Sequence, residues 1–271
     1  MKTLIFAQCY LKSEEQGRFL RVCLDLAERL NPDYDFLLID NRSPVGPATF
    51  LGREWLLDVQ GFINVDDPRP VPDVKRISRE GKPAKFAMIF EDAIGHPSPR
   101  YADERPVEEL RDGPGRAIMT GLRIAMNSGY DRFVQLEGDC LFMRPFEEGF
   151  SQMKKPFACL PRGKHGYLEW QVFWVNDLKW LEQYKFIERY DWPTQHLKQR
   201  PGFEGERFYE WILGEHLQVL PYKGGRCEGI INAKNLGAVF PDGCDWLTHT
   251  DTECFRELLR MHGHDDLADK L

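Results

Sequence analysis

Long apolar runs are missing from this 271-residue chain. No stretch approaches the roughly 18 apolar residues that a membrane-crossing helix requires. The run Thr-Leu-Ile-Phe-Ala-Gln-Cys that follows Met1-Lys2 is too short for a signal-peptide core. Cysteine is scattered: seven residues, an odd number, with no Cys-x-x-Cys. That spacing supports neither a zinc site nor a disulfide framework, and the expectation is reduced thiols in a cytoplasmic protein. Positive charge is outnumbered, 36 Lys and Arg against 43 Asp and Glu. The resulting net charge of -7 argues against broad electrostatic binding of nucleic acid, although Lys154, Lys155, Arg162, Lys164 and His165 form a local basic group. Three familiar signatures are also absent. There is no Gly-x-x-x-x-Gly-Lys-Ser/Thr, no Gly-x-Gly-x-x-Gly after a strand and no Gly-x-Ser-x-Gly. P-loop, dinucleotide-binding and α/β-hydrolase enzymes are thereby disfavoured.

What is present describes an ordinary globular chain, 42% hydrophobic and 29% charged. Residues 3–9 read as a buried strand. Ser13 followed by Glu14 and Glu15 marks a helix start, and Leu20, Cys23, Leu24, Ala27 and Leu30 recur at helical spacing until Asn31-Pro32. Asp35 to Asp40 forms the second strand, and the length of the connection implies parallel pairing. A helix over Ala48 to Val59 and a third strand over Gly61 to Val65 are expected next. Residues 66–112 read as an irregular insertion, rich in proline and mixed charge apart from Phe86 to Ala93. Gly113 opens a helix with an apolar stripe at Ile118, Gly121, Leu122 and Ala125. The second half is expected to hold strands at Phe157–Leu160, Gln171–Val175 and Leu217–Pro221, with helices near Asp177–Arg189, Glu206–Leu213 and Thr252–His262.

Chemistry-bearing residues gather at strand ends. The apolar run Phe133 to Leu136 delivers Glu137 and Asp139 at its C-terminal end, where open α/β sheets bind ligands. Two hard oxygen donors there suit Mg²⁺ or Mn²⁺, and such an ion suits a diphosphate. Asp40-Asn41-Arg42-Ser43 closes the second strand. Its carboxylate can accept a hydrogen bond from a base or ribose hydroxyl, or the segment can be a local Asx turn. Asp66 and Asp67 fit a contact to the base or a solvated turn equally well. Gly113-Pro114-Gly115-Arg116 offers a helix N-terminus and a permanent positive charge to a phosphate. Glu204 and Glu206, at the mouth of a helix, are either acids favoured by its dipole or a general base. Tyr167, Trp170, Phe173 and Trp174 are either a sugar-stacking shelf or core.

Taken in order, these features resemble the GT-A glycosyltransferases, near the broad family-2-like group of nucleotide-diphospho-sugar transferases. Glu137-Gly138-Asp139 matches their Asp-x-Asp region with Glu in place of the first Asp. Asp40-Asn41-Arg42-Ser43 is similar to their nucleoside-contacting loop. Gly115-Arg116-Ala117, Gly121-Leu122 and Ala125 follow the order of their preceding helix. Glu204-Gly205-Glu206, then Gly214 and the strand ending in Pro221, are similar to the helix that carries the base in inverting members. The glycine-rich N-terminal signature of sugar nucleotidyltransferases is absent.

The resemblance implies an α/β, Rossmann-like nucleotide-diphospho-sugar transferase fold with a mostly parallel central sheet. It implies a single domain over 1–271, with a nucleotide-sugar-binding half (1–140) and an acceptor half (141–271). It implies a hexosyltransferase-type enzyme that moves a sugar from a UDP- or GDP-sugar to a hydroxyl, with inversion if a base stands at Glu206 or Glu204, and with retention if none does. Donor contacts would come from Asp40, Asn41, Ser43, Asp67, Arg116 and Glu137. Mn²⁺ or Mg²⁺ would sit on Glu137 and Asp139, with a late histidine, His249, returning to the cation; His262 and His264 compete for that role. The acceptor is left open between a saccharide and a modified DNA base, and a non-catalytic nucleotide-sugar-binding protein is the alternative outside enzymes.

Overall fold

The computed structural model describes residues 1–52, 54–58, 83–90, 113–162, 168–190, 205–226, 231–248 and 252–271. The front end forms as its sequence pattern demands. Strand β1 (Thr3–Cys9) is wholly buried, and helix α1 (Glu14–Leu30) starts at Ser13, whose hydroxyl accepts the Gln16 N–H. The helix buries Leu20, Val22, Cys23, Leu24, Leu26 and Ala27. Asn31 closes it: its amide donates to Ala27 O at 2.8 Å, and its Oδ1 accepts the Phe146 N–H at 2.8 Å. Strand β2 (Asp35–Asp40) then pairs parallel with β1.

The expected helix over Ala48 to Val59 does not form. A short 3-10 turn (Pro47–Thr49) is followed by strand β3 (Leu56–Asp58). Pro47 fits only the first turn of a helix and Gly52 weakens its continuation, so the apolar pair Leu56-Leu57 pairs into the sheet instead. Within the stretch expected to be irregular lies strand β4 (Lys85–Ile89), which sits between β3 and β2. The expected strand at Gly61 to Val65 lies outside the described residues. Helix α2 (Gly113–Asn127) leads to β5 (Arg132–Glu137), the short β6 (Cys140–Phe142) and helix α3 (Phe146–Gln152).

Strands β7 (Phe157–Arg162) and β8 (Leu168–Val175), helices α4 (Leu178–Gln183) and α5 (Gly205–Leu213), and strand β9 (Leu217–Val219) build the far side of the sheet. After them come β10 (Gly224–Arg226), α6 (Leu236–Val239), β11 (Trp246–Thr248), α7 (Thr252–Met261) and α8 (Asp265–Ala268).

Among the described residues the main sheet has eight strands in the order β3-β4-β2-β1-β5-β8-β7-β9, and of these β8 alone runs against the others. Alternation along β1 splits the core between the two faces. Leu4 and Phe6 join the cluster beneath α2, whereas Ile5, Ala7 and Cys9 join the one beneath α1. A three-stranded sheet, β10-β11-β6, flanks the first, with β6 antiparallel to β11. The important feature for function is the position of β1. The chain leaves it through α1 to β2 on one side and reaches β5 on the other side only after α2. In open α/β sheets a crevice forms at such a reversal, outside the carboxyl ends of the two strands. Among the described residues, no helix is long and apolar enough to cross a membrane.

Candidate active site

A cavity of about 180 Å³ opens at that reversal. The end of β1 supplies Gln8, Cys9 and Tyr10, and the end of β5 with the turn after it supplies Glu137, Gly138 and Asp139. Asn41, from the loop after β2, and Pro114, from the first turn of α2, complete two further walls. Four segments that are distant in sequence therefore meet because the parallel ladder aligns their ends: Gln8 pairs with Glu137, and Cys9 with Asp40.

The loop after β2 is closed by the Asp40 carboxylate on Ser43, three residues on. Asp40 is 1% exposed; its Oδ2 accepts the Ser43 N–H at 3.0 Å and its Oδ1 accepts the Ser43 hydroxyl. The Cys9 thiol donates to Oδ1 at 3.3 Å. Ser43 in turn receives the Leu11 N–H at 2.6 Å, tying the loop to the segment after β1. These bonds hold Arg42 in the left-handed region (φ 52°), which is costly for a residue with a Cβ. Burial pushes the Asp40 carboxyl above its ordinary range, with the Ser43 and Cys9 bonds acting in the opposite direction. Of the expected donor contacts in this loop, Asn41 reaches the cavity wall, and Asp40 and Ser43 stand behind it.

Arg116 is 8% exposed, and its guanidinium lies over the Phe90 ring with 4.8 Å to the centroid. It packs behind the helix start, whereas Pro114 faces the cavity. Gly138 separates the acidic pair, and its N–H donates to Gln8 O at 3.2 Å. A Cβ on it would stand 2.9 Å from that oxygen, so β1 and the acidic turn approach as closely as a backbone permits. From the second sheet Thr248, fully buried, donates its hydroxyl to Asp139 Oδ1 at 3.4 Å.

Glu137 and Asp139 thus share one cavity, and none of its described lining residues is basic. Among the described residues no group of three His, Cys, Asp and Glu side chains gathers that could hold a metal alone. Two carboxylates suit Mg²⁺ or Mn²⁺, which bind through one or two protein carboxylates with substrate phosphates and water completing the shell. The nearby thiols are not ligands of that kind. Burial, followed by the charge of Asp139, pushes the Cys23 thiol well up. Burial, then Cys23 and the charges of Asp139 and Glu137, does the same for Cys140. Both keep their protons at neutral pH.

Other expected site residues fall elsewhere. Asp66, Asp67, Glu204, His249 and Tyr167 lie outside the described residues. Glu206 is placed only by its backbone, in the first turn of α5. Trp170, Phe173 and Trp174 are core, at 4%, 0% and 0% exposed, so these three form no sugar shelf. His262 is taken by a contact of its ring with Cys244 O at 2.9 Å, and His264 stands beside Arg29. One constellation has no sequence signal: Glu169 in β8, 2% exposed, shares the single Arg226 Nε–H between its two carboxylate oxygens, at 3.1 and 2.9 Å.

No protein-family model matches the chain, and no curated protein does. Solved structures do. The galactosyltransferase LgtC, in complex with donor and acceptor sugar analogs, superposes with a TM-score of 0.55 at 12% identity, over 99% of this chain and 96% of LgtC. The fold is that of the GT-A glycosyltransferases. An active-site mutant of LgtC gives 0.52 at 11% identity, over 92% of this chain and 87% of that one. The bifunctional glycosyltransferase WbbM, in its apo form, gives 0.51 at 10% identity; this chain is covered throughout and spans 51% of WbbM.

Proposed function

We propose that the chain is a metal-dependent glycosyltransferase that moves a sugar from a nucleotide-diphosphate sugar to a hydroxyl acceptor, with inversion. The observation that supports it most is the cavity at the GT-A reversal, with two carboxylates and, among the described residues, no basic lining residue. Among the described lining residues, a diphosphate brought beside Glu137 and Asp139 meets like charge, which a divalent cation brought with it would neutralise. When bound, Mn²⁺ or Mg²⁺ supplies Lewis-acid neutralisation of the charge that develops on the departing nucleoside diphosphate. Glu137 and Asp139 would hold it. Asn41 meets the nucleoside, and the Asp40–Ser43 turn presents Asn41 in a fixed position. The N-terminus of α2, at Pro114, directs its backbone dipole toward the phosphates. Glu206 takes the proton of the acceptor hydroxyl as that oxygen attacks the anomeric carbon.

A thermal-shift panel of UDP-, GDP- and dTDP-sugars, with and without Mn²⁺, tests this reading. At about 100 times its dissociation constant the correct donor stabilises the protein by about 2.7 kcal/mol, and only when the cation is present. Absence of any response across the panel contradicts nucleotide-sugar binding. Stabilisation without turnover or donor hydrolysis favours a non-catalytic binding protein.

A further inference from the structure

The carboxyl end of β1 presents a glutamine to the cavity. Gln8 is 8% exposed, yet among the described residues its side-chain amide has no hydrogen-bond partner. Its backbone carbonyl is occupied, by the Gly138 N–H at 3.2 Å. The orphaned amide oxygens of Gln135 and Gln171 are shut inside the core. Neither amide atom of Gln8 is sealed in that way, and the residue lines the cavity with Asn41, Glu137 and Asp139. A buried amide without a partner is costly, and an apolar side chain of the same length would cost the fold less.

The strand register fixes what stands beside it. Gln8 pairs with Ile39 of β2 on one side and with Glu137 of β5 on the other. Leu4, Phe6, Ile39 and Phe133 pack in the cluster beneath α2, so alternation turns Gln8 and Glu137 to that same face. Their side chains leave the sheet one strand spacing apart, about 5 Å. Beyond Ile39, the Asn41 N–H donates to Cys9 O at 3.0 Å, which keeps the loop after β2 against the end of β1. The rim of the cavity therefore runs from Asn41 through Gln8 to Glu137.

A nucleoside diphosphate fits that rim in one order. With its phosphates at Glu137 and Asp139 and its base toward Asn41, the part that falls at β1 is the ribose between them. A primary amide suits a ribose, because its oxygen accepts from one hydroxyl while its NH₂ donates to the oxygen of another. We propose that Gln8 is a specificity-determining residue that hydrogen-bonds the ribose hydroxyls of the donor. This rests on the nucleotide-sugar reading above.

Calorimetric titration of the wild-type chain and Gln8→Met in Mn²⁺ tests it, using UDP, GDP and the 2′-deoxy and 3′-deoxy forms of each. Wild type is expected to prefer the ribose form of its nucleotide over at least one deoxy form, and Gln8→Met to lose about tenfold of that preference. The unliganded variant is expected to melt no lower than wild type. Gln8→Ala, which only removes atoms, takes its place should Gln8→Met fail to fold. A wild-type chain that binds ribose and deoxy forms alike overturns the inference while the nucleotide-sugar reading stands. So does a variant that weakens every form equally, as loss of a contact to the cation or phosphates would, or one that keeps the full preference. A wild-type chain that binds none of these nucleotides overturns both.

Discussion

Gly138 N donates to Gln8 O at 3.2 Å, and a methyl group on Gly138 would sit 2.9 Å from that oxygen and 3.0 Å from Leu20 Cδ1. The acidic turn is therefore built on the carboxyl end of β1 with no room between them. Gly138→Ala must push the turn away from β1 or bend it. A loss of about 1–3 kcal/mol is expected, in line with other overpacking changes. Urea unfolding measures it, and an unchanged midpoint would mean that the two segments are not held in contact.

At the opposite end of β5 a charged network anchors the sheet. Arg132, 6% exposed, donates Nε to Thr3 Oγ1 at 3.0 Å, gives both terminal nitrogens to Glu147 at 3.0 and 2.8 Å, and stacks on Phe150. The Arg132 hydrogen bonds hold the Glu147 carboxyl below its ordinary value of 4.5, against a smaller opposing effect of burial. As pH falls, the unfolded chain takes up this proton first. The contribution of Glu147 is thus present above its unfolded value and is lost as pH drops through the lower folded value. Since Glu147 is half exposed, Glu147→Gln is expected to cost only about 1 kcal/mol near neutral pH, and less on acidification. Urea titrations from about pH 6 to pH 3 check the convergence; parallel curves would contradict it.

The general base proposed at the start of α5 makes a kinetic prediction. Glu206→Gln should lower kcat by about 10²–10⁴-fold with KM little changed, because only the proton transfer is lost. Glu204→Gln should retain most of the rate. NMR of the first product formed should show an inverted anomeric centre. A wild-type kcat in Glu206→Gln would remove that residue from the reaction, and a retained anomer would remove the single-displacement scheme.

The Asp40–Ser43 turn makes a separate one. Its bonds hold Arg42 in the left-handed region, and Asn41 reaches the cavity because of them. Ser43→Ala removes the hydroxyl bonds to Asp40 and from the Leu11 N–H. It is expected to cost about 1–2 kcal/mol of stability and to weaken nucleotide binding indirectly. Asn41→Ala is expected to weaken nucleotide binding while leaving the melting temperature in place. Equal melting losses in both variants would contradict this division of roles.

Much of this was legible in the residues because local and tertiary signals agree. The apolar run in 3–9, the cap at Ser13 and the stripe of α1 all point to the β1-α1-β2 unit that forms. The acidic pair was visible because a buried strand ends directly before it. Reading failed where tertiary pairing decided the outcome. Leu56-Leu57 has helical neighbours in sequence but a sheet neighbour in space, so β3 replaced a helix. The strands β6, β10 and β11 are too short to show any period. The aromatic residues of β8 were ambiguous because core and sugar-binding surfaces use the same side chains, and burial assigned three of them to the core.

The central claim is a divalent cation held at positions 137 and 139 on a nucleoside diphosphate. Its most direct test is a crystal of the protein grown with Mn²⁺ and that nucleotide, with anomalous diffraction collected to locate manganese. The expected result is one strong peak in the cavity beside β1, coordinated by Glu137 and Asp139 directly or through water and by the diphosphate oxygens. A nucleotide bound with both carboxyl groups turned away from it, or a manganese peak elsewhere on the protein, would contradict the account.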